Sequence, residues 1–264
     1  MCRRKDIEQQ LLGQLAQLSE LPRPLLGHRD SWQNQAIGEP HRHPWIQLSY
    51  AVEGILTVET ARARLVAPPS RAVWIPPGVT HGVRAEEDTL IRSIYVSADV
   101  LPGRPCEVIR ISPLLRELIL EFGQFQVEYE VEGPNQRLIQ VLVDRLAVAP
   151  SCDLRLPWPE DIRLHSICSY LAAHPDCRFP MAHFSADLGV SDKTLSRRFM
   201  TDTGMTFRQW RQRSRLLASL PLLEKGMRVT DVAIECGYDS LSAFISSFGE
   251  LVGCTPRNYM QRLG

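Results

Sequence analysis

Four side chains in the first third of the chain could together hold a cation or a polar small molecule. His41, His43 and Gln47 fall within one short stretch, and His81 follows the turn sequence Pro76-Pro77-Gly78. Successive side chains of a strand point to opposite faces, so 41, 43 and 47 are expected on one side of a strand. Three imidazoles offer nitrogen lone pairs suited to a divalent transition ion. The same rings could instead line a polar pocket or serve as structural hydrogen-bond partners. Trp45, Tyr50 and Trp74 could give an effector pocket an apolar wall, or belong to the core. Arg42, Arg62, Arg64 and Arg84 could favour an anionic ligand or lie solvated at the surface.

A different chemistry is written near the other end. In the segment Ser191-Asp-Lys-Thr-Leu-Ser-Arg-Arg-Phe199, Leu195 and Phe199 share one helical face at i, i+4. With that face buried, Lys193, Thr194, Ser196 and Arg197 are available to a groove of DNA. An arginine there can bind guanine O6 and N7 together, worth about 1–3 kcal/mol of base discrimination. Arg198 is a phosphate-facing or solvated charge. Leu241, Ser242, Ile245 and Ser246 hold the matching positions of a second such segment, and Arg257 is a further basic candidate for DNA contact.

The elements that must position these residues follow from composition and periodicity. A chain of 264 residues, 44% hydrophobic and 23% charged, can bury a sizeable core in one or two domains, so disorder is excluded. No apolar run approaches the roughly 20 residues of a membrane span, and Met1-Cys-Arg-Arg-Lys5 leads into a polar segment. A soluble cytoplasmic protein without a membrane partner is expected. The seven cysteines include no CxxC pair, so free thiols in a reducing compartment are expected. Net charge is zero, but it is unevenly divided: residues 161–264 carry 13 basic and 10 acidic side chains, residues 1–160 carry 17 and 20.

From 36 to 101 the pattern predicts short strands, at 46–50, 54–59, 72–75 and 90–96, separated by Gly and Pro turns. Residues 1–35 form an N-terminal arm. Between 102 and 150 apolar spacing becomes helical, over 113–122 and 135–147, and predicts a helical pair that covers the β domain or supplies a subunit interface. Residues 151–160, rich in proline, are expected to be a linker.

The last hundred residues contain an internal repeat. Gly204-Met-Thr-Phe-Arg-Gln-Trp210 matches Gly253-Cys-Thr-Pro-Arg-Asn-Tyr259, and Leu195 and Phe199 match Phe244 and Phe248 at the same offset. Each unit reads as a short helix, a tight turn at Gly189 or Gly237, and a second helix capped by Ser191 in one case and by Asp239 or Ser240 in the other. The units are expected at about 181–202 and 230–252 within a domain spanning 161–264. The first helix should start with Pro180 at its first position. The joining helix, from Thr206 to about Leu220, carries Arg208, Arg211, Arg213 and Arg215, some anchoring phosphates and some plain surface charges. Pro221 should end or kink it.

These features resemble the AraC/XylS family of transcriptional regulators over about 164–262. The most specific portion is Gly237-Tyr238, Ala243-Phe244, Phe248 and Gly253-Cys-Thr-Pro256 with Tyr259. The resemblance implies two helix-turn-helix units on successive major grooves, with base readout at Lys193, Ser196 and Arg197. Ser246 stands where that family commonly has arginine, so the second unit is expected to discriminate bases less.

In the N-terminal half, His41-Arg-His43 with Gln47, and Pro76 to His81, resemble the two motifs of cupins. Those are small β-barrels whose metal site uses two histidines, a carboxylate and a third histidine. Gln47 takes the carboxylate position and so removes a negative charge. AraC/XylS regulators generally use this barrel for small effectors.

The fold class expected is therefore α+β and multidomain: a cupin-like β-barrel, two helices, then an all-α domain with tandem helix-turn-helix units. The function expected is an effector-controlled, sequence-specific DNA-binding regulator, with His41, His43, Trp45, Gln47, Trp74 and His81 lining the effector pocket. Promoter DNA, a small effector, RNA polymerase and a second copy of the chain are the expected partners, and no cofactor is required. The alternative is a metal-sensing regulator holding a divalent ion at His41, His43, Gln47 and His81. A cupin dioxygenase or isomerase with a DNA-binding tail is the competing enzyme class. No general acid or base stands near the motifs, so no enzyme is expected.

Overall fold

The computed structural model describes residues 20–27, 37–85, 89–130 and 132–261. Most of the expected N-terminal arm (1–19 and 28–35), with Cys2, lies outside them. The chain divides into two compact units, residues 1–58 with 67–152, and residues 59–66 with 153–264.

The first unit holds a six-stranded antiparallel sheet in the order β1-β8-β3-β6-β9-β10. Its strands are β1 (Leu25–Gly27), β3 (Ile46–Glu53), β6 (Arg71–Ile75), β8 (Leu90–Val96), β9 (Glu107–Arg110) and β10 (Ser151–Cys152). The central strand β3 pairs with β6, where Gln47 faces Ile75 and Leu48 faces Trp74, and with β8 on its other edge. Strands β4 (Leu56–Thr60), β7 (His81–Ala85) and β2 (Ile37–His41) belong, in that order, to a second sheet. In it His41 and His81 are direct partners.

Alternation on β3 and β6 sorts their side chains. Ile46, Leu48, Tyr50, Ala72 and Trp74 join one core with Leu115, Ile119, Phe122, Leu142 and Leu146. Those last five belong to helices α1 (Pro113–Phe122) and α2 (Gly133–Ala147). The helical pair thus covers the outer face of the sheet. Ser112 caps α1 by accepting from the Leu115 amide at 3.2 Å.

Among the described residues, seven helices carry the second unit: α3 (Ile162–Ala173), α4 (Met181–Asp187), α5 (Asp192–Thr203), α6 (Phe207–Glu224), α7 (Val229–Glu235), α8 (Leu241–Val252) and α9 (Pro256–Gln261). The two helix-turn-helix units are α4–α5 and α7–α8. Their turns pass through Gly189 (φ +62°) and Gly237 (φ +70°), a backbone region that favours glycine. Leu195, Phe199, Phe244 and Phe248 are all fully buried, so the repeat seen in the sequence is a repeat of core positions.

Several boundaries differ from expectation. Residues 151–160 are not a bare linker: they carry β10 and β11 (Arg155–Pro157), and β11 pairs antiparallel with β5 (Ala63–Ala67). Strand β1 lies within the expected arm and pairs with β8. Pro180 is the N-cap of α4 rather than its first residue, and α7 starts before Thr230. Pro221 does not stop α6, which runs on to Glu224. The missing amide of residue 221 costs one hydrogen bond, while Leu216, Leu217, Leu220 and Leu223 bury that helix on both sides of the proline.

Candidate DNA interface and ligand site

In the second unit Ser191 caps α5 by accepting from the Thr194 amide at 3.2 Å. Lys193 and Arg197 are exposed on α5 one turn apart, with Ser196 half-buried beside them. These three share one face at i, i+3 and i+4. Thr194 turns its hydroxyl to Ser191, 2.9 Å away. Arg198 points elsewhere: its guanidinium lies 3.7 Å from the carboxylate of Asp161, the N-cap of α3.

On α8, capped by Ser240, Leu241, Ser242 and Ser246 are exposed and Ile245 is half-buried. Ser246 lies 3.4 Å from Glu250 Oε1. This acidic neighbour was not singled out in the sequence. Arg257 is exposed at the start of α9.

Three of the four joining-helix arginines are engaged within the domain. Arg211 donates to the Phe179 carbonyl at 2.8 Å, and Arg215 to those of Pro175 and Cys177 at 2.8 and 2.7 Å. Arg213 donates to the Arg155 and Asp153 carbonyls at 2.5 and 2.6 Å and pairs with the Asp153 carboxylate. Arg208 is exposed. Gln212 also ties α6 to α8 through the Ser247 hydroxyl at 2.8 Å. A sequence gives no sign of such bonds, because their acceptors are backbone carbonyls or distant hydroxyls.

The first unit brings His41, His43, Gln47 and His81 together, though not on one strand as parity implied. His41 ends β2, His43 lies in the connection to β3, Gln47 is on β3 and His81 opens β7. One ring nitrogen from each of the three histidines lies within 4.8 Å of those of the other two. His43 and His81 are buried and His41 is half-buried. Nδ1 of His43 stands 2.9 Å from the Trp45 carbonyl, and Nδ1 of His81 stands 2.9 Å from that of Val79. The Gln47 carboxamide lies between the other two nitrogens, with Oε1 2.8 Å from His43 Nε2 and 3.2 Å from His81 Nε2. Its Nε2 is 2.9 Å from the hydroxyl of Ser49, a residue the sequence reading missed although it shares Gln47's face two residues on.

Burial dominates the electrostatics of this cluster. It lowers the pKa of His43, and it lowers that of His81 to about 4, with the neighbouring histidines adding to the effect. Trp45 stacks on His43 with ring centroids 5.3 Å apart, and Tyr95 meets the same ring edge-on at 6.2 Å. Burial pushes the Tyr95 phenol up to about 12. Trp74 is not beside the histidines. It sits on the opposite face of the sheet in the core under α1 and α2, as does Tyr50. Even and odd positions of β3 and β6 face opposite ways, which removes Trp74 from the pocket-lining set.

The cysteines at 106, 152, 168, 177, 236 and 254 form no disulfide, and burial raises the thiols of Cys168 and Cys236, the latter to about 12. Those two thiols are inert by that measure. No helix among the described residues is long and apolar enough to cross a membrane.

Comparison with known proteins agrees with this division of labour. Residues 24–139 match the profile of an AraC-like ligand binding domain, and residues 184–262 that of a helix-turn-helix domain. The HTH-type transcriptional regulator NimR of Escherichia coli (strain K12) is 36% identical over 225 residues, covering 84% of this chain and 82% of NimR. The HTH-type transcriptional regulator RipA of Corynebacterium diphtheriae is 30% identical over 144 residues, 54% of this chain and 40% of RipA. Among solved structures, a DNA-binding transcriptional dual regulator from Escherichia coli K-12 aligns at 26% identity and a TM-score of 0.35, covering 38% of this chain and 95% of that one. With an AraC-like ligand-binding domain ahead of a tandem helix-turn-helix domain, the chain belongs to the AraC family of DNA-binding transcriptional regulators.

Proposed function

We propose that the two units of the helical domain contribute unequally to promoter recognition, and that a small effector bound at the His41, His43, Gln47 and His81 cluster controls it. The observation that carries this reading is the contrast between two matching helix faces. On α5, Lys193 and Arg197 are exposed one turn apart around Ser196, whereas Ser242, Ile245 and Ser246 hold the same stations on α8. Two such helices about 34 Å apart enter successive major grooves. Lys193, Ser196 and Arg197 read bases in the first. Leu241, Ser242, Ile245 and Ser246 make apolar and short hydroxyl contacts in the second, and Arg257 and Arg208 approach phosphates. Thr194 serves the helix cap before it serves DNA, and Arg198 reaches a phosphate only by leaving Asp161.

Effector binding shifts the population competent to bind the promoter. The chain acts as a homodimer through the exposed apolar residues Leu114, Val141 and Val148 on and beside α1 and α2, with RNA polymerase as its further partner. It acts as a regulator in the cytoplasm, without turnover.

The test is the affinity of the full chain for its own upstream DNA. Arg197→Ala should weaken cognate binding by about 1–3 kcal/mol and relax specificity. A larger loss from Ser246→Ala would contradict the assignment.

A further inference from the structure

We infer that Arg215, at the middle of the joining helix, is a positioning residue that fixes the spacing between the two groove sites the chain accepts on DNA. It clamps the α3–α4 connection of the first helix-turn-helix half against the turn of the second. The inference rests on both recognition helices entering DNA, and its test separates the two claims.

The halves share α6. Phe199 of α5 packs its ring against Phe207 and Trp210 near the start of that helix, with centroids 5.5 and 6.4 Å apart. Gln212 reaches Ser247 of α8, and Glu224 at the far end meets Tyr259 of α9. A helix acting as the one connection would pass its own bending on to the halves. Long helices do curve, and Pro221 leaves one bond of this helix unmade.

A second connection lies off that axis. Arg215 donates from Nε to the Pro175 carbonyl and from Nη2 to that of Cys177, at 2.8 and 2.7 Å. One turn earlier, Arg211 donates to the Phe179 carbonyl at 2.8 Å. The α3–α4 connection is thereby held along α6 by charge-assisted bonds. Against the same guanidinium stands Gly237, buried in the turn between α7 and α8. A Cβ there would meet Arg215 Nη2 at 2.7 Å, and Asp176 Cα and the Pro175 oxygen at 2.9 Å each. Backbone of one half thus lies directly on backbone of the other. Arg178 and Asp239 continue the contact at the surface, 3.3 Å apart, but so exposed a pair adds little.

The turn itself does not require this packing. The amides of Gly237 and Tyr238 donate to Ile234 and Ala233, just as those of Gly189 and Val190 donate to Ala186 and Ser185. Yet among the described residues nothing lies within 4 Å of the Cβ position of Gly189. The close approach at Gly237 is a joint between the halves.

Close-packed backbone does not compress, so the halves cannot rock about α6 toward this joint, and the bonds of Arg215 resist rocking away. Successive base pairs advance about 3.4 Å and turn about 35°. A clamped pair of helices therefore meets two grooves at one spacing. A site one base pair longer or shorter carries the second groove out of reach. A pair freed to rock would follow it.

The test uses the full chain and its upstream DNA, footprinted to locate the two contacted segments and then rebuilt with them one base pair closer or further apart. For the natural protein either change should weaken binding by about tenfold or more. Arg215→Ala should weaken binding at the natural spacing, since the halves then lose freedom on docking. It should also reduce the penalty for either change to about threefold or less. Arg215→Lys keeps the charge and stem without the planar fork; it should fall between, and it serves if alanine unfolds the domain. Gly237→Ala, which forces the joint apart, should flatten the profile too. Gly189→Ala, with the same backbone strain and open surroundings, should keep the full penalty. Thermal melts establish that each variant is folded. A penalty unchanged in Arg215→Ala, Arg215→Lys and Gly237→Ala would overturn the clamp and leave both grooves occupied. A natural protein indifferent to spacing would overturn it together with the second groove, while a loss on Arg197→Ala would still hold the first recognition helix to DNA.

Discussion

A Cβ built on Gly237 would stand 2.7 Å from Nη2 of Arg215 and 2.9 Å from the carbonyl oxygen of Pro175. The same guanidinium donates from Nε to Pro175 and from Nη2 to the Cys177 carbonyl. The turn glycine of the second helix-turn-helix unit is thus packed beneath the latch by which α6 holds the segment following α3. Gly189, at the equivalent turn of the first unit, has a similar φ but nothing within 4 Å of its would-be Cβ.

Alanine at these two positions should therefore act unequally. Gly189→Ala pays the left-handed backbone term of about 1–2 kcal/mol. Gly237→Ala adds crowding against backbone and guanidinium, a further 1–3 kcal/mol or so. Urea unfolding of the two variants should show the second clearly less stable; equal losses would mean that the Arg215 latch yields without cost.

The joining-helix arginines should separate from the recognition residues by salt dependence. Arg257→Ala should lower the slope of log affinity against log salt by about 1, because that guanidinium approaches a phosphate. Arg213→Ala should lower thermal stability and leave the slope unchanged, because its donors already serve Asp153 and Arg155. A reduced slope for Arg213→Ala would place that residue on DNA instead.

Glu224 predicts a pH effect. Its carboxyl accepts from the Tyr259 hydroxyl, yet burial outweighs this and raises the pKa to about 7. The folded state therefore binds a proton that the unfolded state has released, so this group's contribution to stability falls as pH rises from about 4.5 to about 7 and is flat above. Glu224→Gln removes that loss. It should raise stability at pH 8 by an amount on the order of 1 kcal/mol, after allowance for partial exposure, and change little at pH 4.5. Thermal melts at both pH values decide it; equal shifts would mean the side chain titrates as if in water.

The two tryptophans should part company as well. Trp74 is fully buried under α1 and α2, so Trp74→Leu should cost several kcal/mol of stability, on the order of other large-to-small core changes, and leave the effector's control of DNA binding in place. Trp45→Leu removes the ring stacked on His43 and should weaken the effector's control of DNA binding. The opposite pattern would place Trp74 at the site.

What the sequence made legible depended on repetition and on hydrophobic period. Leu195 and Phe199 recur as Phe244 and Phe248, and in both units they are core, so the tandem architecture and the buried faces of its second helices could be read in advance. Strands β3, β6 and β8, rich in branched and aromatic residues, were equally readable. Strand β2 contains Gly38 and Pro40, and β5 is alanine- and arginine-bearing, so neither carries a strand signature. Parity grouped His41, His43 and Gln47 correctly for the wrong reason: the chain turns at 42–45, and two different strands and their connection bring the side chains together. The same argument from alternation, applied to β6, would have needed its register with β3 to exclude Trp74. The carbonyl partners of Arg211, Arg213 and Arg215 had no local signal at all, since backbone acceptors look alike in any sequence.

Base-resolved binding tests the central claim most directly: the affinity of the full chain measured over every single base-pair substitution of its upstream fragment, for the natural protein and for Arg197→Ala. Two clusters of sensitive positions about one helical turn apart are predicted. One should be deep, at about 1–3 kcal/mol per mismatch, and the other shallow, with Arg197→Ala flattening the deep one alone. A deep cluster that survives Arg197→Ala and is flattened by Ser246→Ala, or the absence of any bound fragment, would contradict the account.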